Sequence, residues 1–246
     1  MSENKDKIVG RNPVLEALRS GREVDRLLVQ EGAEGSIGKI LSLAKERKVP
    51  VSFAKKTLLD QKARGSSHQG VIAYVSAYRY ASLDEVFRLA ESRGEAPFLI
   101  LLDEVEDPHN LGAIMRTAEC AGAHGVVITK RRASGLTETV AKASAGAVEY
   151  VPCVRVNNMA RTIEELQQRG VWVYACDMDG TSYYEQYMKG PCSLVIGNEG
   201  AGISRLVREK CDFIVSIPMV GRISSLNASN AAAILMYEIR KQRDGK

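Results

Sequence analysis

The stretch IPMVGRISSLNASNAAAILMYE, residues 217–238, decides how the last third of this 246-residue chain is read. Ile217, Pro218 and Met219 read as the end of a buried strand, Gly221 falls in a loop, and a long helix opens over Ser225, Leu226 and Asn227. Small polar residues at a helix start leave backbone N–H groups facing whatever lies in front of them. Ala231, Ala232 and Ala233 let that helix pack close to its neighbours. Taken alone, the stretch is equally well a capped, tightly packed terminal helix.

Upstream, six apolar runs over residues 98–102, 126–129, 150–154, 172–175, 193–196 and 213–217 read as strands, and most are nearly continuous in apolar character. Strands covered on both faces must look this way. Helical patterns over residues 111–120, 137–144, 159–169, 203–210 and 226–243 separate them. The alternation predicts a parallel α/β domain over residues 97–246. Gly197, Gly200 and Gly202 are spaced GxxGxG near its end. The glycine-rich first-turn fingerprint of dinucleotide folds is therefore missing, as is a phosphate-binding GxxxxGK[ST] loop.

The front of the chain alternates shorter elements. Asn12 and Pro13 read as cap and first turn of a helix to about Arg19. Strands over 26–29, 51–54 and 70–75 and helices over 37–47 and 58–62 complete a small α/β/α sandwich, residues 1–77. A linker with a helix over 83–91 fills residues 78–96. Residues 1–80 carry an excess charge of about +6 and the remainder about −2, which points the front end at a polyanion. The loop RGSSHQ, residues 64–69, is basic and polar, suited to lying along a phosphate backbone.

Composition is that of an ordinary globular protein, 45% hydrophobic and 26% charged. No apolar run reaches membrane-spanning length and residues 1–10 are too polar for a signal peptide, so a cytoplasmic protein is expected. The five cysteines form no CxxC pair and read as reduced core residues. No metal-ligand spacing joins them to His68, His109 or His124, and no metal is expected.

Two further segments bear on chemistry: LDEVEDPHNLGAIMRTAECAG, residues 102–122, and LVIGNEGAGIS, residues 194–204. With the 217–238 stretch, in this order and spacing, they resemble the motifs of the SpoU (TrmH) family of RNA 2'-O-ribose methyltransferases. GRNPVLEAL near the start and SSHQGVIA at 66–73 resemble the substrate-binding domain of that family's rRNA branch, which looks like the ribosomal protein L30e fold. The resemblance implies a knotted, parallel-sheet (SPOUT-type) α/β methyltransferase domain behind a small L30e-like domain. From physics alone an unknotted doubly wound sheet is expected, since true knots are rare. It further implies S-adenosyl-L-methionine as cofactor, a homodimer, and a guanosine of 23S rRNA, free or in an assembling large subunit, as target. The rival readings are a tRNA guanosine 2'-O-methyltransferase of the same family and an inactive RNA-binding protein.

The resemblance also assigns residues. Arg116 matches the family's catalytic arginine; one helical turn before Glu119, it shares a face with a carboxylate that can orient it. A guanidinium with a pKa above about 12 is a poor base, so a role in holding the target phosphate and stabilising the developing alkoxide is physically easier. Asn110, which also reads as a helix cap, is implied to arrange that arginine or the ribose. Glu199, Ser225 and Asn227 are implied catalytic-site residues. Gly197, with Ile196, Asn198 and Gly200 beside it, and Ile217, Met219 and Leu226 are implied to hold the cofactor, chiefly through main chain. Arg11, Arg64 and His68 in front, and Lys130, Arg131 and Arg132 after the second strand of the large domain, are assigned to RNA contact. Ala228 and Asn230 stand where valines are common, a change that affects packing rather than chemistry.

Overall fold

Leu27 and Val29 face one way and Leu28 the other, and this alternation builds the front of the protein. The computed structural model describes residues 7–20, 24–75 and 78–245. The chain divides into two compact units, Met1–Arg79 and Tyr80–Lys246. In the first, β1 (Lys7–Val9), β2 (Val24–Gln30), β3 (Val51–Ala54) and β4 (Val71–Val75) form a sheet in the order β1-β4-β2-β3. Only β2 and β3 run parallel. Leu27, Val29, Ala73 and Val75 pack against Val14 and Leu18 of α1 (Arg11–Arg19) and Ile37, Ile40 and Ala44 of α2 (Ile37–Glu46). On the opposite face Leu28 and Ile72 meet Leu59 and Ala63 of α3 (Lys56–Ala63). This is the α/β/α layering that the sequence predicts. Asn12 is not the cap of α1; Gly10, at φ 99°, precedes Arg11 there and supplies no side chain.

The second unit holds a six-stranded, all-parallel sheet in the order β10-β8-β9-β5-β6-β7. Its strands are β5 (Phe98–Leu102), β6 (Gly125–Thr129), β7 (Cys153–Val156), β8 (Trp172–Ser182), β9 (Cys192–Ile196) and β10 (Phe213–Ser216). Every residue of the central β5 and β9 is buried, which is why both read as unbroken apolar runs. One face packs on α4 (Leu83–Ser92), α7 (Met159–Gln168) and α8 (Arg205–Lys210) through Val86, Ile163, Leu166 and Val207. On α5 (Pro108–Cys120) lie α6 (Glu138–Ala143) and α9 (Ala228–Asp244), and α9 also packs on β9. Gly112 permits the α5–α6 approach: a Cβ there would lie 2.4 Å from the Cβ of Ala143.

Three expectations need correction. The 83–91 helix is no linker, since Leu83 and Val86 belong to the core of the second unit and Ala81 bridges Val154 of β7. The third strand begins at Cys153 rather than Tyr150: residues 147–149 form a 3₁₀ turn, Tyr150 is exposed, and Pro152 offers no N–H to a ladder. Cys120 is exposed and not a core residue.

His124 is fully buried at the amino edge of the sheet. Its Nδ1 accepts from the Phe98 N–H at 3.0 Å and its Nε2 lies 3.0 Å from Glu95 Oε2. Burial holds its pKa below the ordinary 6.5; Glu95 opposes that shift, and the cations Arg93 and Arg243 reinforce it. The unfolded chain therefore takes up this proton first. Stability is complete above pH 6.5 and is lost as pH falls, by at most about 1.4 kcal/mol per unit. The melting temperature is expected to drop between pH 7.5 and 5.5, and His124→Asn, which keeps an acceptor for the Phe98 N–H without titrating, is expected to flatten that drop.

Candidate active site

Three loops leave the carboxyl ends of β5, β9 and β10, where open parallel sheets bind their ligands. The first runs from Asp103 into α5. Asp107 is the N-cap, accepting from the His109 N–H at 2.9 Å, and Pro108 takes the first helical position. Asn110 is thus not the cap that the sequence suggests. It sits in the first turn with only 5% of its surface exposed. Asp103, also buried, accepts from the Ser204 N–H at 2.8 Å, while its own N–H donates to Ile196 at 2.9 Å. These bonds lace the first loop to the second.

The second loop carries GNEG. A Cβ on Gly197 would fall 2.3 Å from the carbonyl carbon of Gly202 and 2.4 Å from the Ile203 nitrogen, so no other residue fits. Asn198 and Gly202 exchange backbone hydrogen bonds at 3.0 and 2.8 Å, closing a tight turn. The Asn198 side chain is consumed by structure: Oδ1 accepts from the N–H groups of Gly200 (2.8 Å) and Ala201 (3.2 Å), and Nδ2 donates to the Glu104 carbonyl at 2.9 Å. Glu199 is left at the tip.

The third loop ends on Asn227, the cap of α9. Its Oδ1 accepts from the Ser229 N–H at 2.9 Å and the Asn230 N–H at 3.4 Å. That orientation turns Nδ2 towards Glu199 Oε1, to which it donates, and towards Asn110 Oδ1 at 3.0 Å. Asn110 Nδ2 in turn donates to Glu199 Oε1 at 2.6 Å. Three residues far apart in sequence thus form one closed set, with each amide orientation fixed by the next. None of the three serves merely as a cap: Glu199 in particular leaves the start of α8 to Ser204 and Asp103.

Beside this set lies a cleft of about 330 Å³. Ile196, Gly197, Asn198, Glu199, Gly200, Ile217, Met219, Ser225 and Leu226 line it, with residues 176–178 on another side. Nine of the expected catalytic and cofactor positions therefore share one space, while Asn110 and Asn227 brace Glu199 from behind. Among the described residues that line the cleft there is no Lys, Arg or His. Cys176 lines the cleft as a thiol whose pKa burial pushes up to about 11, so it supplies no thiolate at neutral pH.

Arg116 is not brought into the cleft. It is exposed and makes no hydrogen bond or ion pair among the described residues, and the expected pairing with Glu119 does not form. An exposed i,i+3 pair gains too little to order two long side chains. Arg132, at φ 51°, is ion-paired to Glu104 at 3.1 Å, and Arg131 is exposed beside it; Lys130 is half-buried at the end of β6. In the first unit Arg11 donates through Nε to the Gln69 carbonyl at 2.7 Å and borders a groove of about 720 Å³ with Lys56, Ser66 and Ser67. Arg64 closes α3 in the left-handed region at φ 48°. His68 is buried and both ring nitrogens are engaged: Nδ1 accepts from the Gly70 N–H at 2.9 Å and Nε2 lies 2.9 Å from Asp60. It holds the loop and is not presented to a ligand, contrary to the sequence expectation. The lacing residues Asp103 and Glu104 and the cap Asp107 escaped sequence reading; the Asp-Pro pair was the one available signal.

Two substitutions test this geometry. Gly197→Ala is expected to force the 197–202 turn open, costing about 1–3 kcal/mol in chemical denaturation and abolishing ligand binding in the cleft by calorimetry. Asn227→Asp keeps the α9 cap but loses both Nδ2 bonds and faces Glu199 with a like charge. Activity is expected to fall by more than about tenfold while the circular dichroism of the helices is unchanged.

Residues 97–237 match the model of the SpoU rRNA Methylase family, and residues 7–81 that of the RNA 2'-O ribose methyltransferase substrate binding domain. The Bacillus subtilis (strain 168) protein YacO, which carries a provisional name as a TrmH family tRNA/rRNA methyltransferase, is 49% identical over 99% of this chain and 98% of its own. The crystal structure of the SpoU methyltransferase AviRb from Streptomyces viridochromogenes, in complex with AdoMet, superposes with a TM-score of 0.61 at 27% identity, covering 98% of this chain and 91% of that one. An AdoMet-bound rRNA methyltransferase from Sinorhizobium meliloti superposes with a TM-score of 0.58 at 25% identity, covering 96% and 87%.

Proposed function

Because the chain belongs to the SpoU family of RNA 2'-O-methyltransferases, we propose that it transfers a methyl group from S-adenosylmethionine to the ribose 2'-hydroxyl of a guanosine in 23S rRNA. The observation that carries the cofactor assignment is the lining of the cleft. Ile196, Ile217, Met219 and Leu226 offer apolar contact for a purine and thioether chain, and Glu199 and Asp177 are carboxylates on the lining. A site without a cationic side chain suits a sulfonium and disfavours a polyphosphate. The volume of about 330 Å³ lies within the range of small-molecule sites. S-adenosylmethionine supplies there a methyl group on positively charged sulfur, open to in-line displacement.

The chain's own residues orient the acceptor. Glu199 is fixed by two amide donors on one oxygen, and the other, which has no partner among the described residues, can meet a ribose hydroxyl. Ser225, on the cleft lining, offers a short hydroxyl to the same group. Alignment of this kind supplies on the order of 7 kcal/mol in favourable cases. Arg116, exposed and without a partner among the described residues, is available to the phosphate of the target nucleotide. The basic first unit, with Arg11 on its groove and Arg64 next in the chain to Gly65 of that lining, grips the RNA backbone. Lys130, Arg131 and Arg132 add to that grip at the mouth of the sheet. This reading includes a homodimer working in the cytoplasm on rRNA or an assembling large subunit, and the C-terminal knot.

The rRNA assignment rests on the 7–81 substrate-binding match and on the Sinorhizobium meliloti rRNA enzyme, which spans both units. The name of YacO leaves tRNA as the second reading. Radiolabelled S-adenosylmethionine with 23S transcript, 16S transcript and bulk tRNA separates them. A single 2'-O-methylguanosine in 23S RNA is expected; label on tRNA keeps the chemistry and overturns the substrate. Cofactor binding without any label redirects the test to precursor ribosomal particles, and no cofactor binding leaves an RNA-binding protein. Arg116→Ala is expected to lower turnover by at least about a hundredfold with cofactor binding intact; full turnover would remove Arg116 from the mechanism.

A further inference from the structure

Between β8 and β10 the ladder skips. Ala175 stands opposite Ile214, yet Thr181 stands opposite the next residue, Val215. Residues 176–180 therefore form a bulge within β8 that has no partner on β10, and its first three residues form one wall of the cleft. The far end is pinned by packing and one bond: a Cβ on Gly180 would lie 2.6 Å from the Ile214 carbonyl, and Ser216 Oγ donates to the Gly180 carbonyl at 2.8 Å. The near end continues the β8 ladder.

The middle is held by one side chain from α8. Arg208 Nε donates to Asp177 Oδ2 at 3.0 Å, and its Nη2 donates to the two oxygens of Asp179 at 2.6 and 2.7 Å. Asp177 Oδ1 accepts from the Met178 N–H at 2.7 Å, so both of its oxygens are engaged in holding the turn. Although Asp177 lines the cleft, its carboxylate is engaged by Arg208 and by the Met178 N–H, and Cys176 and Met178 line the cleft beside it. Arg208 itself does not line the cleft. Its helix is fixed to the core through the buried Val207, so the guanidinium transmits the position of α8 to the wall.

We infer that Arg208 is a positioning residue for the cofactor cleft: by spanning Asp177 and Asp179 it holds the 176–178 wall in the shape that receives the adenosyl group. The inference rests on the cleft being the S-adenosylmethionine site. Without the guanidinium, two carboxylates two residues apart face each other with no counter-charge and the turn opens towards water. A lysine restores charge but cannot span both carboxylates with a planar fork.

Calorimetric titration of the full chain with S-adenosylmethionine and with S-adenosylhomocysteine tests this, beside turnover at saturating cofactor. Arg208→Ala is expected to raise both Kd values by at least about tenfold, with saturated turnover within about threefold of the unaltered chain. Arg208→Lys is expected to recover part of the affinity. A Kd within twofold of the parent in Arg208→Ala, or no recovery in the lysine variant, overturns the inference. If Arg208→Ala does not fold, Asp179→Asn decides, since it leaves the Asp177 bond in place; unchanged affinity there overturns the inference as well. An unaltered chain that binds neither ligand overturns the cofactor reading itself, and this inference with it.

Discussion

One amide does two jobs on which the active end of this protein depends. Asn227 caps α9 through its oxygen and, because that oxygen is committed, must aim its nitrogen at Glu199 and Asn110. The start of a seventeen-residue helix and the orientation of the cleft carboxylate are therefore set by the same side chain. Capping preference selects Asn, Asp, Ser or Thr at such a position. Asn accepts from the helix through one atom and donates to two acceptors through another, where Ser or Thr has a single hydrogen to donate and an ionised Asp has none.

Around that set the loops are tied by buried or half-buried polar groups as well as by apolar residues such as Val105 and Ile203. Asp103 joins the end of β5 to the start of α8, and Asn198 joins the GNEG turn to Glu104. Each tie satisfies backbone groups that loops leave unpaired, and each crosses between segments about a hundred residues apart. A cleft built this way keeps its shape before any ligand arrives, which is what oriented transfer requires. Arg208 extends the same principle to the wall that the sheet does not support.

The two units divide polarity as well as structure. The first offers a polar groove that Arg11 and Lys56 line together with Glu34, Asp60 and the serines of the 64–69 loop. The second offers a cleft with no basic side chain among the described residues of its lining. An anionic polymer and a cationic small molecule are suited to opposite surroundings. A protein that must handle both gains from keeping the two environments on separate units.

The sequence by itself determined most of the secondary structure, and its family resemblance pointed to nine of the residues that line the cleft. Period-two and continuous apolar runs identified both sheets, because burial on one or two faces leaves a direct imprint on residue order. The GNEG turn was legible because glycine is the sole residue tolerated at such an approach as Gly197 makes. Tertiary structure alone decided the partners. Asn110 reads as a cap yet is a buried brace, Arg116 and Glu119 share a face yet stay apart, and His68 reads as exposed yet is locked inside its loop. The β8 bulge and its Arg208 tie were equally invisible, since an aspartate-rich turn looks alike whether solvent or an arginine about thirty residues on receives it. Local pattern records how a residue is buried; which side chain it meets depends on how distant strands and helices are brought together.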